Sequence, residues 1–128
     1  VGAMNKAQLT AFIDQQLAAP HADSLLIIRY LDIPPPYAPF YQGALRAAGV
    51  AAQAAYGAPL YELDGAQGQS LVAAMARGNV ADWQGPPPAG LAYFVLRNDA
   101  VDVVYGTQEG FAKLGVPYQP HIVPPTPW

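Results

Sequence analysis

Cysteine is absent from this chain of 128 residues. Its absence excludes disulfide bonds, thiolate nucleophiles and cysteine-ligated zinc or iron–sulfur centres. Histidine is scarce as well: His21 and His121 lie far apart in sequence, and each is interpreted as a hydrogen-bonding residue rather than a ligand or base. The sequence also lacks a phosphate loop, a dinucleotide fingerprint and a nucleophile elbow. We therefore expect no flavin, haem or metal in this chain, and an enzyme is the weaker class of function.

Charge is also sparse. Charged residues make up 12% of the chain and hydrophobic residues 52%, whereas about 25% of a typical soluble domain is charged. Six basic and nine acidic residues give a net charge of −3, and no basic cluster follows a phosphate backbone, so nucleic acid is not an expected partner. A small domain this poor in charge exposes apolar surface unless a partner covers it. We expect an obligate protein partner, and self-association of the isolated chain.

Long hydrophobic runs are missing too. The longest purely apolar runs, such as Leu25–Ile28, are far shorter than the roughly 20 residues that a membrane span requires. The sequence shows no signal peptide, and residues 1–4 are predicted to be an expression scar or a disordered start. The predicted organisation is a helical domain over residues 5–115, followed by an extended, proline-rich tail over residues 116–128.

The pattern predicts an all-α fold: a single small domain of four to six helices with proline-rich loops. Asn5 is a predicted N-cap, and Pro20 ends the first helix. The next clear helices are predicted over 39–56, from Asp64 to Gly78, and after Pro86–Pro88 as far as Gly106. Residues 21–36 are either a short buried helix or a strand, and we favour a helix. The predicted apolar stripes of the first three helices are Leu9, Phe12, Ile13 and Leu17; Tyr41, Leu45, Ala48, Ala52 and Tyr56; and Leu71, Val72 and Met75.

The last of these helices has two different faces when it is projected at about 100° per residue. The face predicted to lie in the core contains Ala92, Tyr93, Leu96, Ala100, Val103 and Val104. The opposite face mixes large apolar and polar residues: Leu91, Phe94, Val95, Val101 and Tyr105 with Arg97, Asn98, Asp99 and Asp102. Such a mixture is typical of a surface that meets another protein. The alternative is a helix packed on two sides by its own domain. Asp99 and Asp102 are interpreted as a solvated or interface charge cluster, not as a catalytic pair.

The tail carries large side chains among its prolines. We predict that it lies extended across a partner, because proline lowers the entropy cost of ordering and aromatic residues act as anchors. The alternative is a tail folded back on its own helices. The predicted interface comprises Phe94, Arg97, Val101, Asp102, Tyr105, Tyr118, His121, Ile122 and Trp128.

Four segments of the chain carry a resemblance to a known family. They are AFIDQQLA, FYQGALRAAGVAAQAAYGAPLYEL, GQSLVAAMARGNV and, above all, DAVDVVYGTQEGFAKLGVPYQPHIVPP. Together they resemble the gluconate 2-dehydrogenase subunit 3 family, and the likeness extends from about residue 10 to the last residue.

The resemblance implies a small, mostly helical accessory subunit of a membrane-associated bacterial dehydrogenase. In that family the redox chemistry belongs to a separate FAD-binding subunit of the glucose-methanol-choline oxidoreductase type, often with a cytochrome c subunit. The small subunit wraps on the catalytic one and escorts it, in a chaperone-like role, through twin-arginine export to the periplasm. The substrates are sugars, sugar acids and other alcohols. A cytoplasmic location is the alternative.

A second class of function remains open from the residues alone. The chain is then a free-standing ligand-binding or enzymatic domain, monomeric, with a closed apolar pocket lined by Tyr30, Tyr93 or His121. A complex subunit is instead expected to be colourless and inactive when expressed alone.

Overall fold

Helices make up the fold in a computed structural model that describes residues 6–105 and residues 112, 114 and 115. In these residues there are four α-helices and no strand: α1 (Lys6–Ala18), α2 (Ala38–Tyr56), α3 (Gly65–Ala76) and α4 (Ala89–Tyr105). Three short 3₁₀ turns connect them: His21–Asp23, Ile27–Tyr30 and Leu60–Glu62. The predicted all-α fold of four to six helices is confirmed.

Capping residues set the helix boundaries. Asp64 accepts a hydrogen bond of 2.8 Å from the backbone N–H of Gln67, whose side chain accepts one of 3.1 Å from the N–H of Asp64. This reciprocal capping box begins α3 where the sequence predicts. At the end of α2, Gly57 adopts a left-handed conformation with φ of 65°, and its N–H donates to the carbonyl of Gln53. Glycine takes this conformation without a Cβ penalty.

The start of α4 lies against α2 at Gly43. A Cβ atom at Gly43 would lie 2.6 Å from the carbonyl oxygen of Pro86, which is closer than a van der Waals contact. The absence of a side chain therefore permits the loop before α4 to cross α2 directly. Trp83 anchors the same loop, because its Nε1–H donates a 2.8 Å hydrogen bond to the carbonyl of Pro87.

Two clusters of buried side chains form the core, and α4 contributes to both. The first joins α2, α3 and α4 through Ala44, Ala51, Ala52, Leu71, Met75, Ala89 and Ala92. The second joins α4 to Leu26, Ile28, Tyr37 and Tyr41 through Val95, and Phe12, Ile13 and Leu17 of α1 pack against it. The alanines bring α2 and α4 close together. Because α4 contributes to both clusters, it is packed on two sides by its own domain.

The favoured helix over residues 21–36 is wrong. This segment contains two isolated 3₁₀ turns, and Leu26 has extended backbone angles of φ −63° and ψ 138°. Tertiary hydrogen bonds replace helical ones: the N–H of Leu25 donates to Gln16 Oε1 at 2.7 Å, and that of Ile27 donates to Asp99 Oδ1 at 3.3 Å. Because Leu26 and Ile28 are fully buried in the same cluster, the segment fills the core without forming a continuous helix.

Two predicted core residues face outward. Leu45 of α2 is 57% exposed and Val72 of α3 is 49% exposed. Both belong to apolar stripes in the sequence, but the small alanine face of α2 takes the packing position instead. Burial of alanines permits the closest approach of helix axes, which leaves the larger neighbouring side chain at the edge of the contact.

Candidate functional site

Helix α4 presents three faces, which differ in their surroundings. Ala92 is buried against α2 and α3, and Val95 and Asp99 are buried against α1, α2 and the turn at Ile27–Tyr30. Tyr93, Leu96 and Ala100 line an open groove toward α2 and α3. The third face, which we call the α4 stripe, contains the predicted interface residues of this helix: Phe94, Arg97, Val101, Asp102 and Tyr105.

The division of α4 predicted from the sequence is wrong at Val95 and Asp99. Both residues are assigned to the partner-facing side by their spacing, yet both are 0% exposed. The helical projection places this side of α4 away from the core. In the structure, α1 and the segment before α2 pack against it and form the second core cluster. At Val95 and Asp99 the alternative is correct: α4 is packed on two sides by its own domain.

Asp99 holds three segments of the chain together. Its Oδ2 accepts a 2.6 Å hydrogen bond from the hydroxyl of Tyr41 in α2, and its Oδ1 accepts one of 3.3 Å from the backbone N–H of Ile27. Every buried side-chain nitrogen or oxygen in the described part of the chain has a hydrogen-bond partner. A buried carboxyl with two donors is a satisfied group, and its removal would leave those donors unpaired.

Burial changes the acid–base properties of this pair. Loss of solvation raises the pKa of Asp99 above its usual value; the hydrogen bonds from Tyr41 and Ile27 oppose that change, and the neighbouring Asp102 carboxylate adds to it. Burial also raises the pKa of Tyr41, and the hydrogen bond to Asp99 reinforces the change. The pKa of Asp102 is raised by partial burial.

The expected Asp99–Asp102 charge cluster is not present as such. Asp102 is exposed, whereas the carboxyl of Asp99 points into the core toward Tyr41. Since Asp99 is inaccessible from solvent, a substrate does not contact it in this arrangement. The pair Tyr41–Asp99 is a structural contact that fixes the rotation of α4 about its axis.

The α4 stripe is apolar and exposed. Phe94 is 45% exposed and Val101 is 39% exposed, and they lie about two turns apart on the same side of the helix. Arg97 and Asp102 are exposed beside them, and Tyr105 is half-buried. Asn98 does not add a free amide, because its Nδ2 donates to the carbonyl of Phe94 at 2.7 Å. The stripe combines aromatic and aliphatic side chains with one charge of each sign, as in protein interfaces.

A groove of about 630 Å³ lies beside the stripe. It is formed by α2, α3, α4 and the turn at Leu60–Glu62, and Leu45, Leu63, Val72, Met75, Tyr93 and Leu96 are among the side chains along it. Among the described residues of its lining, Arg97 is the single charged one. The groove is open to solvent and lacks Tyr30, which points away into solvent, so it differs from the closed pocket that a free-standing carrier predicts.

A comparison with known families decides the relationship. The profile described as Gluconate 2-dehydrogenase subunit 3 matches residues 2–124 of this 128-residue chain. The chain belongs to this family. Neither a curated protein nor a solved structure matches it. The name of the gluconate 2-dehydrogenase subunit 3 family implies that its members are subunits of a dehydrogenase complex.

Five of the nine predicted interface residues of this family member lie in the described structure. Phe94, Arg97 and Val101 share one side of α4 with Asp102 and Tyr105 at its margin, so the structure brings these five together. The four tail positions lie outside the described residues: Tyr118, His121, Ile122 and Trp128. Helical spacing predicts that these residues share one side of α4. Whether that side is exposed or covered by another part of the domain is decided by the tertiary packing.

The described residues show neither a metal-ligand cluster nor a membrane-spanning helix. In the part of the chain that the structure describes, no three histidine or acidic side chains come together as metal ligands. His21 is exposed and its ring meets that of Tyr37 edge-on, with centroids 5.4 Å apart. Across the described helices, none is both long and apolar enough to cross a bilayer.

The role of Tyr41 does not emerge from the sequence pattern. Its spacing predicts an apolar core residue of α2 and gives no partner for its hydroxyl. A signal was present, because a tyrosine in a buried stripe requires an acceptor, and Asp99 is an acceptor on the most apolar helix.

Proposed function

We propose that the chain is the non-catalytic small subunit of a bacterial, membrane-associated FAD-dependent dehydrogenase of sugars, sugar acids or alcohols. In this proposal the partner is a catalytic subunit of the glucose-methanol-choline oxidoreductase type, and a cytochrome c subunit belongs to the same complex. The observation that carries the proposal is the family match over residues 2–124, which spans nearly the whole chain.

The surface supports a binding role. The α4 stripe leaves Phe94 and Val101 exposed in a chain that has few charges to cover its surface. Apolar side chains grouped beside an exposed Arg97 and Asp102 favour a partner surface that is apolar at its centre and polar at its edge. We propose that the α4 stripe and the tail residues Tyr118, His121, Ile122 and Trp128 contact the catalytic subunit together.

The proposed role of the chain is to bind, stabilise and escort the catalytic subunit to the periplasmic side of the inner membrane. Chaperone-like binding and twin-arginine export come from the family resemblance. In this proposal FAD is held by the partner and no cofactor by this chain, because its residues include no dinucleotide fingerprint and no cysteine ligand.

Co-expression tests this function. The chain and its cognate FAD-containing dehydrogenase subunit are expected to co-purify as a complex of defined stoichiometry. The chain purified alone is expected to show no visible absorbance and no dehydrogenase activity, and to self-associate. Flavin bound to the isolated chain, or a cognate dehydrogenase that folds, is exported and works without it, would contradict the proposal.

A further inference from the structure

The groove beside the α4 stripe exposes large apolar side chains that the proposed contact surface does not include. Leu45 and Val72 line it on opposite helices, and Tyr93 and Leu96 of α4 form its floor with Met75. Its volume of about 630 Å³ is in the range of binding pockets, roughly 300–1,000 Å³. Binding sites lined mainly by apolar side chains are common between the helices of helical domains.

The groove and the α4 stripe are continuous. Arg97 lines the groove and is also exposed on the stripe, where Phe94 and Val101 lie three and four residues from it. Residues at these spacings are neighbours on a helix surface. A molecule that covers the stripe therefore reaches the groove without a gap, and Arg97 lies at the junction.

Charge identifies the kind of occupant. Arg97 is the single charge of the groove lining, and it has no ion pair among the described residues. A guanidinium at the edge of an apolar surface favours a carboxylate, which it binds through two parallel hydrogen bonds. The occupant is thus expected to combine apolar side chains with one acidic side chain near them.

Residues 116–128 of this chain do not satisfy that requirement. The segment VPYQPHIVPPTPW contains neither aspartate nor glutamate, so it offers Arg97 no acidic side chain. A second copy of the chain, which carries nine acidic residues, is the other possible occupant, and light scattering tests it.

We propose that the groove receives an apolar, acid-bearing segment of the dehydrogenase partner, whose carboxylate pairs with Arg97 while its apolar side chains pack against Leu45 and Val72. This inference rests on the proposed function and adds a second contact region to it. The segment inserts between α2, α3 and α4, so its contacts extend beyond the stripe to Leu45 and Val72. Recognition of this kind, an apolar segment laid into a groove with one specifying charge, recurs in protein complexes.

A matched pair of leucines tests the apolar part. Leu45 is 57% exposed in the groove, and Leu25 is 60% exposed away from it. Leu45→Glu is expected to weaken the affinity for the cognate dehydrogenase subunit at least about tenfold, and Leu25→Glu to leave it within about twofold. Affinity is measured with the tagged dehydrogenase subunit and purified variants, and circular dichroism checks that both variants keep wild-type helical content.

A charge reversal tests the role of Arg97. Arg97→Glu is expected to weaken binding at least about tenfold, whereas Arg46→Glu, on the exposed side of α2 outside the groove lining, has little effect. Cross-linking of the complex from a cysteine introduced at Val72 identifies the inserted segment. Reversal of the acidic residue in that segment to lysine is then expected to restore binding to the Arg97→Glu variant.

The outcomes separate this inference from the function on which it rests. If the wild-type chain does not bind the dehydrogenase subunit, both fail. If the wild type binds and Phe94→Glu abolishes binding, but Leu45→Glu and Leu25→Glu behave alike, the groove inference is overturned and the proposed function stands. The groove inference is also overturned if Leu45→Glu leaves dehydrogenase binding unchanged but abolishes a homodimer seen by light scattering. The same holds if the variant instead loses a lipid that copurifies with the wild-type chain.

Discussion

The hydroxyl of Tyr41 donates a 2.6 Å hydrogen bond to Oδ2 of Asp99, although the two residues lie 58 positions apart in sequence. Tyr41 belongs to α2 and Asp99 to α4, and both are buried. This contact fixes the rotation of α4, because a turn of the helix that buried the α4 stripe would withdraw Asp99 from Tyr41. The buried pair thus determines which side chains of α4 face solvent.

Removal of the Tyr41 hydroxyl is expected to destabilise the fold. Tyr41→Phe leaves Oδ2 of Asp99 without its donor in a buried site, which costs about 1–3 kcal/mol in the free energy of unfolding. Tyr61 provides the control, since it is 86% exposed, and Tyr61→Phe is expected to change stability by less than about 0.5 kcal/mol. Urea denaturation of both variants at neutral pH measures the difference. Equal midpoints for the two would contradict a structural role of the hydrogen bond.

The stability of the fold is expected to depend on pH through Asp99. Its pKa is raised in the folded protein, so the folded state holds the proton more tightly than the unfolded chain does. Stability from this group is therefore present below the unfolded pKa of about 3.9 and is lost as the pH rises through the raised folded value. The groups that face it are Tyr41, the Ile27 N–H and Asp102.

Asp99→Asn tests this dependence. The amide oxygen can still accept from Ile27, and the variant has no carboxyl to ionise. Relative to the wild type, Asp99→Asn is expected to become progressively more favourable as the pH rises from about 4 toward neutrality. Asp14→Asn, at an exposed position of α1, serves as the control. A stability difference between Asp99→Asn and the wild type that is constant over this pH range would show that Asp99 does not titrate there.

Two glycines of α2 are expected to respond oppositely to alanine. At Gly43 the new Cβ lies 2.6 Å from the Pro86 carbonyl oxygen, so Gly43→Ala forces the loop before α4 away and costs about 1–3 kcal/mol of stability. A Cβ added at Gly49 meets no atom within 4 Å outside the adjacent backbone of its own helix, and Gly49→Ala is expected to stabilise the helix by about 0.5–1 kcal/mol. Thermal unfolding of the two variants gives the comparison. A stabilising Gly43→Ala would mean that the loop does not require this close approach.

Large aromatic residues of the proposed interface are expected to carry much of its binding energy. Tyr105→Ala or Trp128→Ala is expected to weaken the complex with the catalytic subunit by about 2 kcal/mol or more, because aromatic residues concentrate binding energy near an interface centre. Helical content is expected to stay unchanged. Co-purification of each variant with the co-expressed catalytic subunit measures the effect, and an unchanged yield with both residues replaced would place the interface elsewhere.

Local features of the sequence predicted the helices well. Capping signals act within one helix, so they can be recognised without knowledge of the rest of the chain. They are the Asp64–Gln67 capping box of α3, and Pro39 and Gly57 at the two ends of α2. The prediction failed over residues 21–36, where Ile27 gives its N–H to Asp99. A partner 72 positions away leaves no trace in local spacing, so a helix and an extended path look alike there.

The sequence by itself determined the helical class, the family and the low fraction of charged residues. Those properties depend on composition, caps and short-range periodicity, which act within a few residues. Only the tertiary structure decided that Val95 and Asp99 lie inside, that Leu45 and Val72 line an open groove, and that Phe94 and Val101 remain outside. Periodicity places side chains around one helix axis, but the number of neighbours against that axis depends on contacts between segments distant in sequence.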